Sequence, residues 1–88
     1  MIAVPSNLAH ASIGDAYTVS RIEAPQHAPE WANLLQDIGF LPGEHVTIMT
    51  RAVPGGDPLV VRVGLSTFAL RMAEAACIHI CPTAKART

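Results

Sequence analysis

The sequence predicts a mainly β fold, a small barrel of about five short strands with one short α-helix after the first strand. Three observations carry that expectation. Short segments of alternating apolar and polar residues recur between turn signals, as barrel strands do. The segment 31–38 follows a helical period instead. Strong breakers stand where a helix must stop and a hairpin must turn, at Asp37-Ile38-Gly39-Phe40-Leu41-Pro42-Gly43 and at Pro54-Gly55-Gly56-Asp57-Pro58.

Residues 1–12 show little periodicity and are expected to be a loosely ordered lead-in to a domain spanning 13–82. Ile13-Gly14-Asp15 reads as a turn before a first strand at 16–22, where Tyr17 and Val19 alternate with Thr18 and Ser20. Residues 23–28 contain Pro25 and no pattern, which makes them a loop. The helix begins at Pro29, whose missing N–H costs nothing at the first helical position. Glu30 follows in the first turn, where the helix dipole favours a negative charge. Trp31, Leu34, Leu35 and Ile38 fall at i, i+3, i+4 and i+7 and form one face, expected to be buried on the barrel. Gly39 ends the helix, because glycine reaches positive φ without steric cost.

A strand over 45–52 comes next, with Val46 and Ile48 on one face and Thr47 and Met49 on the other. The breakers at 54–58 turn it into a strand at 59–63, and Gly64-Leu65-Ser66 turns that into 67–71, where Phe68 and Leu70 share a face. Residues 72–76 are too short for an independent helix and predict a single tight turn. The last strand is 77–81, ended by Pro82, and 83–88 form a small polar tail expected to fray. Closing such short strands into a barrel removes exposed edges.

A chain of 88 residues makes one domain with a core of modest size, and a hydrophobic fraction of 50% argues against disorder of the whole. The net charge of -1 gives no electrostatic case for nucleic acid or an anionic membrane. No apolar run reaches the roughly 20 residues that span a bilayer. Residues 1–6 lack the basic-then-apolar pattern of a secretion signal, so a cytoplasmic location is expected. Cys77 and Cys81 on one strand would sit about 13 Å apart. A disulfide needs Cα atoms within about 7 Å, so the two thiols stay free, which suits a reducing compartment.

Candidate chemistry is sparse. Cys77, His79 and Cys81 alternate, so on a strand they would share a face and could bind Zn(II) or Fe(II). Against that, Ile78 and Ile80 would fill the core, and three soft donors without a fourth make a weak site. His10, His27 and His45 are scattered, yet surface histidines can capture an ion between molecules. No cofactor is required on this reading, and any Zn or Fe is adventitious or regulatory. Arg51, Arg62 and Arg71 on successive strands read as solvated charge. No nucleophile has a neighbouring base, and no glycine loop carries the lysine and helix that cradle phosphate. The chain is expected to be a binding module and not an enzyme.

The run 34–80 resembles the bacterial ferrous iron transport protein A (FeoA) family. The likeness lies in residues 35–43, a helix end followed by Gly-Phe-Leu-Pro-Gly, then in Val46-Thr47-Ile48, Gly56-Asp57-Pro58-Leu59 and Val61-Arg62-Val63. It continues through Phe68-Ala69-Leu70-Arg71 and Glu74-Ala75, with a weaker start at Gly14, Val19 and Ile22. The loop 24–29, which carries His27, departs from it.

The resemblance implies an SH3-like barrel and a cytosolic accessory role in Fe(II) uptake. The implied partner is the ferrous iron permease FeoB, which has a cytosolic GTP-binding domain and would hold the chain peripherally at the inner membrane. Docking is expected around Leu35, Ile38, Phe40 and Leu41, with Pro54 and Asp57 from the hairpin tip. Gly39, Pro42, Gly43, Gly56 and Pro58 are expected to serve backbone geometry. Two alternatives stand beside this: a small Fe/Zn carrier or sensor, and a stand-alone SH3-like module of a metal-dependent transcriptional regulator. Self-association, if it occurs, is expected to be weak.

Overall fold

The computed structural model describes residues 6–53 and 55–83. Its strands are β1 (Ala16–Ile22), β2 (His45–Arg51), β3 (Leu59–Val63), β4 (Ser66–Leu70) and β5 (Ile78–Pro82). They form one antiparallel sheet in the order β4-β3-β2-β1-β5. Helix α1 (Glu30–Asp37) joins β1 to β2, and the four-residue α2 (Met72–Ala75) joins β4 to β5. Each expected element is present. The differences are at the ends: Pro29 is the N-cap of α1 and not its first residue, β2 stops at Arg51, β4 starts one residue earlier than predicted, and β5 runs from Ile78 through Pro82, which leaves Cys77 outside it.

Alternation places the core. Tyr17, Val19, Val46, Ile48, Leu59, Val61, Val63, Leu70, Ile78 and Ile80 point inward from the strands and form one buried cluster. That burial follows from the period of two along each strand, and at about 25 cal/mol per Å² of apolar surface it is the main stabilising term. Two bulges interrupt the alternation, between Val19 and Arg21 and between Ile48 and Thr50. A bulge adds a residue and flips the facing of everything after it. After the first, Arg21 turns outward and Ile22 packs against the core. After the second, Arg51 lies opposite the buried Leu59.

That flip changes the role of Arg51, which is not a solvated surface charge. Its Nη2 donates to the carbonyls of Ala9 at 2.9 Å and Ala11 at 2.8 Å, and Nη1 reaches Met72 Sδ at 3.6 Å. The guanidinium fork thereby fastens the segment before β1 to the sheet. Of the lead-in expected over 1–12, residues 6–12 are packed in this way. Leu8–His10 make a 3₁₀ turn, with Leu8, Ala9 and Ala11 buried in the core. Residues 1–5 and 84–88 lie outside the described residues, as does Pro54.

Barrel closure is incomplete. The outer edge of β5 is covered by Ser6, whose carbonyl accepts from Ile80 N at 3.0 Å, and by a bridge between Asn7 and His79. Among the described residues the outer edge of β4 pairs with no strand. The gap is bridged by α2, which packs on the 3₁₀ turn.

The end of α1 is held by a closely defined backbone turn. Gly39 takes φ +120°, its N–H bonds Gln36 O at 3.0 Å, and Phe40 N–H bonds Leu35 O at 3.0 Å. This is the Schellman pattern, which satisfies the last helical carbonyls and reverses the chain. Phe40 then enters the core with no exposed surface and meets Phe68 at a ring separation of 6.2 Å. Leu41-Pro42-Gly43-Glu44 forms the next turn, with Glu44 N bonding Leu41 O at 3.0 Å and Gly43 at φ +93°.

Two measurements test this account. Phe40→Ala removes a fully buried ring and is expected to destabilise by about 3–5 kcal/mol in denaturant unfolding. Arg51→Met keeps the apolar stem but orphans two carbonyls, and a loss of about 1.5–3 kcal/mol is expected. Unchanged midpoints in either case would contradict the role given to that side chain.

Candidate functional site

The helix face expected to be buried is only half buried. At 100° per residue, Trp31 and Leu35 lie on the core side, whereas Leu34 and Ile38 lie on the flank toward solvent. Leu35 is buried and Trp31 packs against the core, but Leu34 is 58% and Ile38 38% exposed. Leu41, in the turn after the helix, is 46% exposed. Of the four residues expected to dock a partner here, Leu35 and Phe40 have no surface to offer, because the helix stop commits them to the core. Ile38 and Leu41 remain, and Leu34 joins them.

A further apolar residue lies beside this face. The turn between β3 and β4 presents Leu65, 95% exposed, in a shallow cleft it shares with Gly43 and Glu44. The packing brings these turns together: a Cβ on Gly39 would be 3.8 Å from Val63 Cγ1, and one on Gly64 would be 3.9 Å from Glu44 Oε1. Sequence reasoning missed Leu65. The available signal was a leucine in a Gly-Leu-Ser turn, where a polar residue would serve as well. Glu30, Asp37 and Glu44 are also exposed around this end.

The hairpin tip is organised differently. Asp57 Oδ1 accepts from Met72 N at 3.0 Å, tying the β2–β3 connection to the start of α2. Gly56, at φ +76°, donates to Ala52 O at 2.8 Å, and Ala52 N bonds Pro58 O at 3.0 Å. These residues hold the turn, and Asp57 is accounted for by that task. Trp31 stands between two open clefts. One, of about 740 Å³, is lined by Asp57, Pro58, Ala69, Arg71 and Glu74. The other, of about 530 Å³, lies between the 23–27 loop and α2, with Pro25, His27, Ala73 and Cys77 on its walls. In the first, Glu74 Oε1 accepts from Arg71 N at 2.8 Å, so both its carboxylates serve backbone N–H groups at the start of α2.

The alternating Cys-His-Cys trio does not converge. Cys77 precedes β5 and turns inward, buried, with Sγ directed at Ala73 O at 3.5 Å. Burial, with Glu74 nearby, pushes its thiol above the ordinary range, so it is protonated at neutral pH, whereas metals are bound by thiolate. Cys81 is exposed and reaches Thr18 O at 3.7 Å. His79 Nε2 is 3.0 Å from Glu23 Oε1, which Arg21 Nη2 also contacts at 3.1 Å. The hydrogen bond and charge of Arg21, with His79 adding to them, hold the Glu23 carboxyl below its usual value. His27 meets the edge of Trp31 at 6.1 Å, and His45 is exposed at the start of β2. Among the described residues no three His, Cys, Asp or Glu side chains are grouped to hold an ion.

Thiol titration tests the arrangement at β5. One thiol, Cys81, is expected to react with an alkylating reagent in native buffer at neutral pH. Cys77 is expected to react only after denaturation. Rapid native labelling of both would refute the inward placement of Cys77.

Comparison with known proteins adds to the geometry. The FeoA domain profile matches residues 6–82. The fold is similar to that of Stenotrophomonas maltophilia FeoA, a prokaryotic SH3 domain protein solved in complex with zinc. Identity is 28% and the TM-score 0.79, over 88% of this chain and 91% of that one. Iron(II) transport protein A of Clostridium thermocellum is 32% identical with a TM-score of 0.70, over 84% of this chain and 43% of that one. A manganese-dependent transcriptional repressor shares the fold at 21% identity and a TM-score of 0.73, and this chain covers 41% of its length. By sequence, no curated protein matches the chain. The five-stranded barrel is therefore the SH3-like fold that the sequence led us to expect.

Proposed function

The chain belongs to the FeoA family, and we propose that it serves ferrous iron uptake as an accessory protein docking on the cytosolic, GTP-binding part of the FeoB permease. The observation that carries the docking is the exposed apolar surface of Leu34, Ile38, Leu41 and Leu65 at one end of the barrel. The core needs none of it, and exposed apolar surface rimmed by charged residues marks interaction sites. The similar Stenotrophomonas protein is described as a candidate ferrous iron transport activating factor, and the Clostridium protein as an iron(II) transport protein, which supports the transport assignment.

On this reading the barrel acts as an adaptor. It binds one conformation of the permease domain more tightly than another and shifts the balance between them by that difference. No helix of the described residues is long and apolar enough to cross a membrane. Location in the cytoplasm, at the inner face of the membrane, then follows from the partner. Metal enters as cargo of the permease. A metal-carrier role has one supporting observation, the zinc complex of the Stenotrophomonas protein. Among the described residues Glu23 and His79 are two donors in contact, with Arg21 at the same carboxylate. That arrangement suits an ion captured between molecules better than a carried one. The likeness to the manganese-dependent repressor, at 21% identity, supports the fold and no regulatory role.

Co-purification with the permease tests the docking. A double variant, Leu34→Asp with Leu41→Asp, keeps the core intact and is expected to lose about tenfold or more in affinity, roughly 1.4 kcal/mol. Circular dichroism and thermal melting confirm that it is folded. Recovery of the folded double variant at the level of the wild type would exclude this surface.

A further inference from the structure

We propose that the face formed by α1 and the turn after it is built for a lysine- or arginine-rich amphipathic segment of a partner protein. The proposal rests on the docking reading above and names the chemistry of what docks. Glu30, Leu34, Asp37 and Ile38 stand at i, i+4, i+7 and i+8, so acidic and apolar groups alternate along one exposed flank of α1. Leu41 and Glu44 continue the same pairing through the turn.

Charge decides the sign of the partner. Between residues 30 and 44 there are three acidic side chains and no lysine or arginine. The ion pairs among the described residues, Arg21–Glu23 and His79–Glu23, involve none of the three. Asp37 is also the last residue of α1, a helix with no basic group in its final turn. A helix C-terminus carries about half a negative charge, so a carboxylate there is unfavourable and a cation favourable. The isolated domain leaves that preference unmet. Arg62 and His45 line the same shallow cleft as Glu44 and Leu65, so the basic groups of this surface enter at that cleft. The flank is therefore acidic along α1, and basic groups join it only at the cleft beside Glu44.

A membrane surface is the wrong occupant, because anionic headgroups would meet Asp37 and Glu44. A cationic amphipathic segment on the cytosolic part of the partner is the chemistry the flank complements. Association driven this way is fast, weakens with salt, and needs only a small apolar contact to fix the register.

The test has two arms. In the first, isotope-labelled protein is titrated by NMR with a synthetic amphipathic peptide of leucine and lysine, with its glutamate-for-lysine counterpart, and with phosphatidylglycerol vesicles. The lysine peptide is expected to shift resonances of α1, residues 41–44 and Leu65, with affinity falling as salt rises. The variant Asp37→Lys with Glu44→Lys is expected to bind it at least about tenfold more weakly while melting no lower than wild type. Equal binding of both peptides, shifts elsewhere, an unaffected variant, or preference for the vesicles would overturn the proposal. In the second arm the same variant is tested against the permease. Wild-type recovery with an unaffected variant sinks the electrostatic proposal and leaves docking intact. A charge-dependent peptide response without permease recovery by the wild type sinks the docking reading and leaves the surface preference standing.

Discussion

The stop at Gly39 is the constraint on which the rest of this molecule turns. A residue with a side chain would be strained at φ +120°, and without that reversal the Phe40 ring could not drop from the helix end into the core. Once Phe40 and Leu35 are both inside, the rotation of α1 about its axis is fixed. Two consequences follow from geometry alone. Trp31 must lie along the barrel between two clefts, and Leu34 and Ile38 must face outward. The exposed apolar face results from the way the helix is anchored. A different rotation would bury it and lift Leu35 out.

Much of the fold was legible because short-range rules governed it. Gly39, Pro42 and Gly43 announce the helix end and turn through backbone preferences that no distant contact overrides. Strand alternation located nearly all of the inward residues. The bulges were not legible. Nothing in Ser20 or Met49 marks an extra residue, because a bulge is dictated by how the sheet must curve and not by the side chain that occupies it. Missing the second bulge put Arg51 on the wrong face. It also hid the clamp that makes residues 6–12 part of the structure.

The site was harder to read for a related reason. A helical stripe shows which residues are apolar, but not where along the stripe the boundary between core and solvent falls. That boundary was set by Phe40, a residue outside the helix. The Cys-His-Cys spacing failed similarly: alternation places side chains on one face only within a strand, and β5 begins just after Cys77. Released from the sheet, Cys77 packs against Ala73 like a small apolar residue. Pattern reasoning was sound inside each element and lost its force at the element's last residue.

The acidic flank of α1 is best understood as a local disagreement between stability and use. Replacing Asp37 by a cation would strengthen the helix end by a few tenths of a kcal/mol to about 1 kcal/mol, at no evident steric cost. Domains of this size are stable by only about 5–15 kcal/mol, so the improvement would not be negligible. Elsewhere the chain follows local preference closely: glycines take the positive φ angles, Arg51 satisfies carbonyls, and Asp57 and Glu74 meet N–H groups at the start of α2. A sequence so consistent in its turns departs from the rule beside its exposed leucines. Places where local rules are broken without a structural gain are where function is to be sought, and here the broken rule stands beside the exposed Leu34, Ile38 and Leu41.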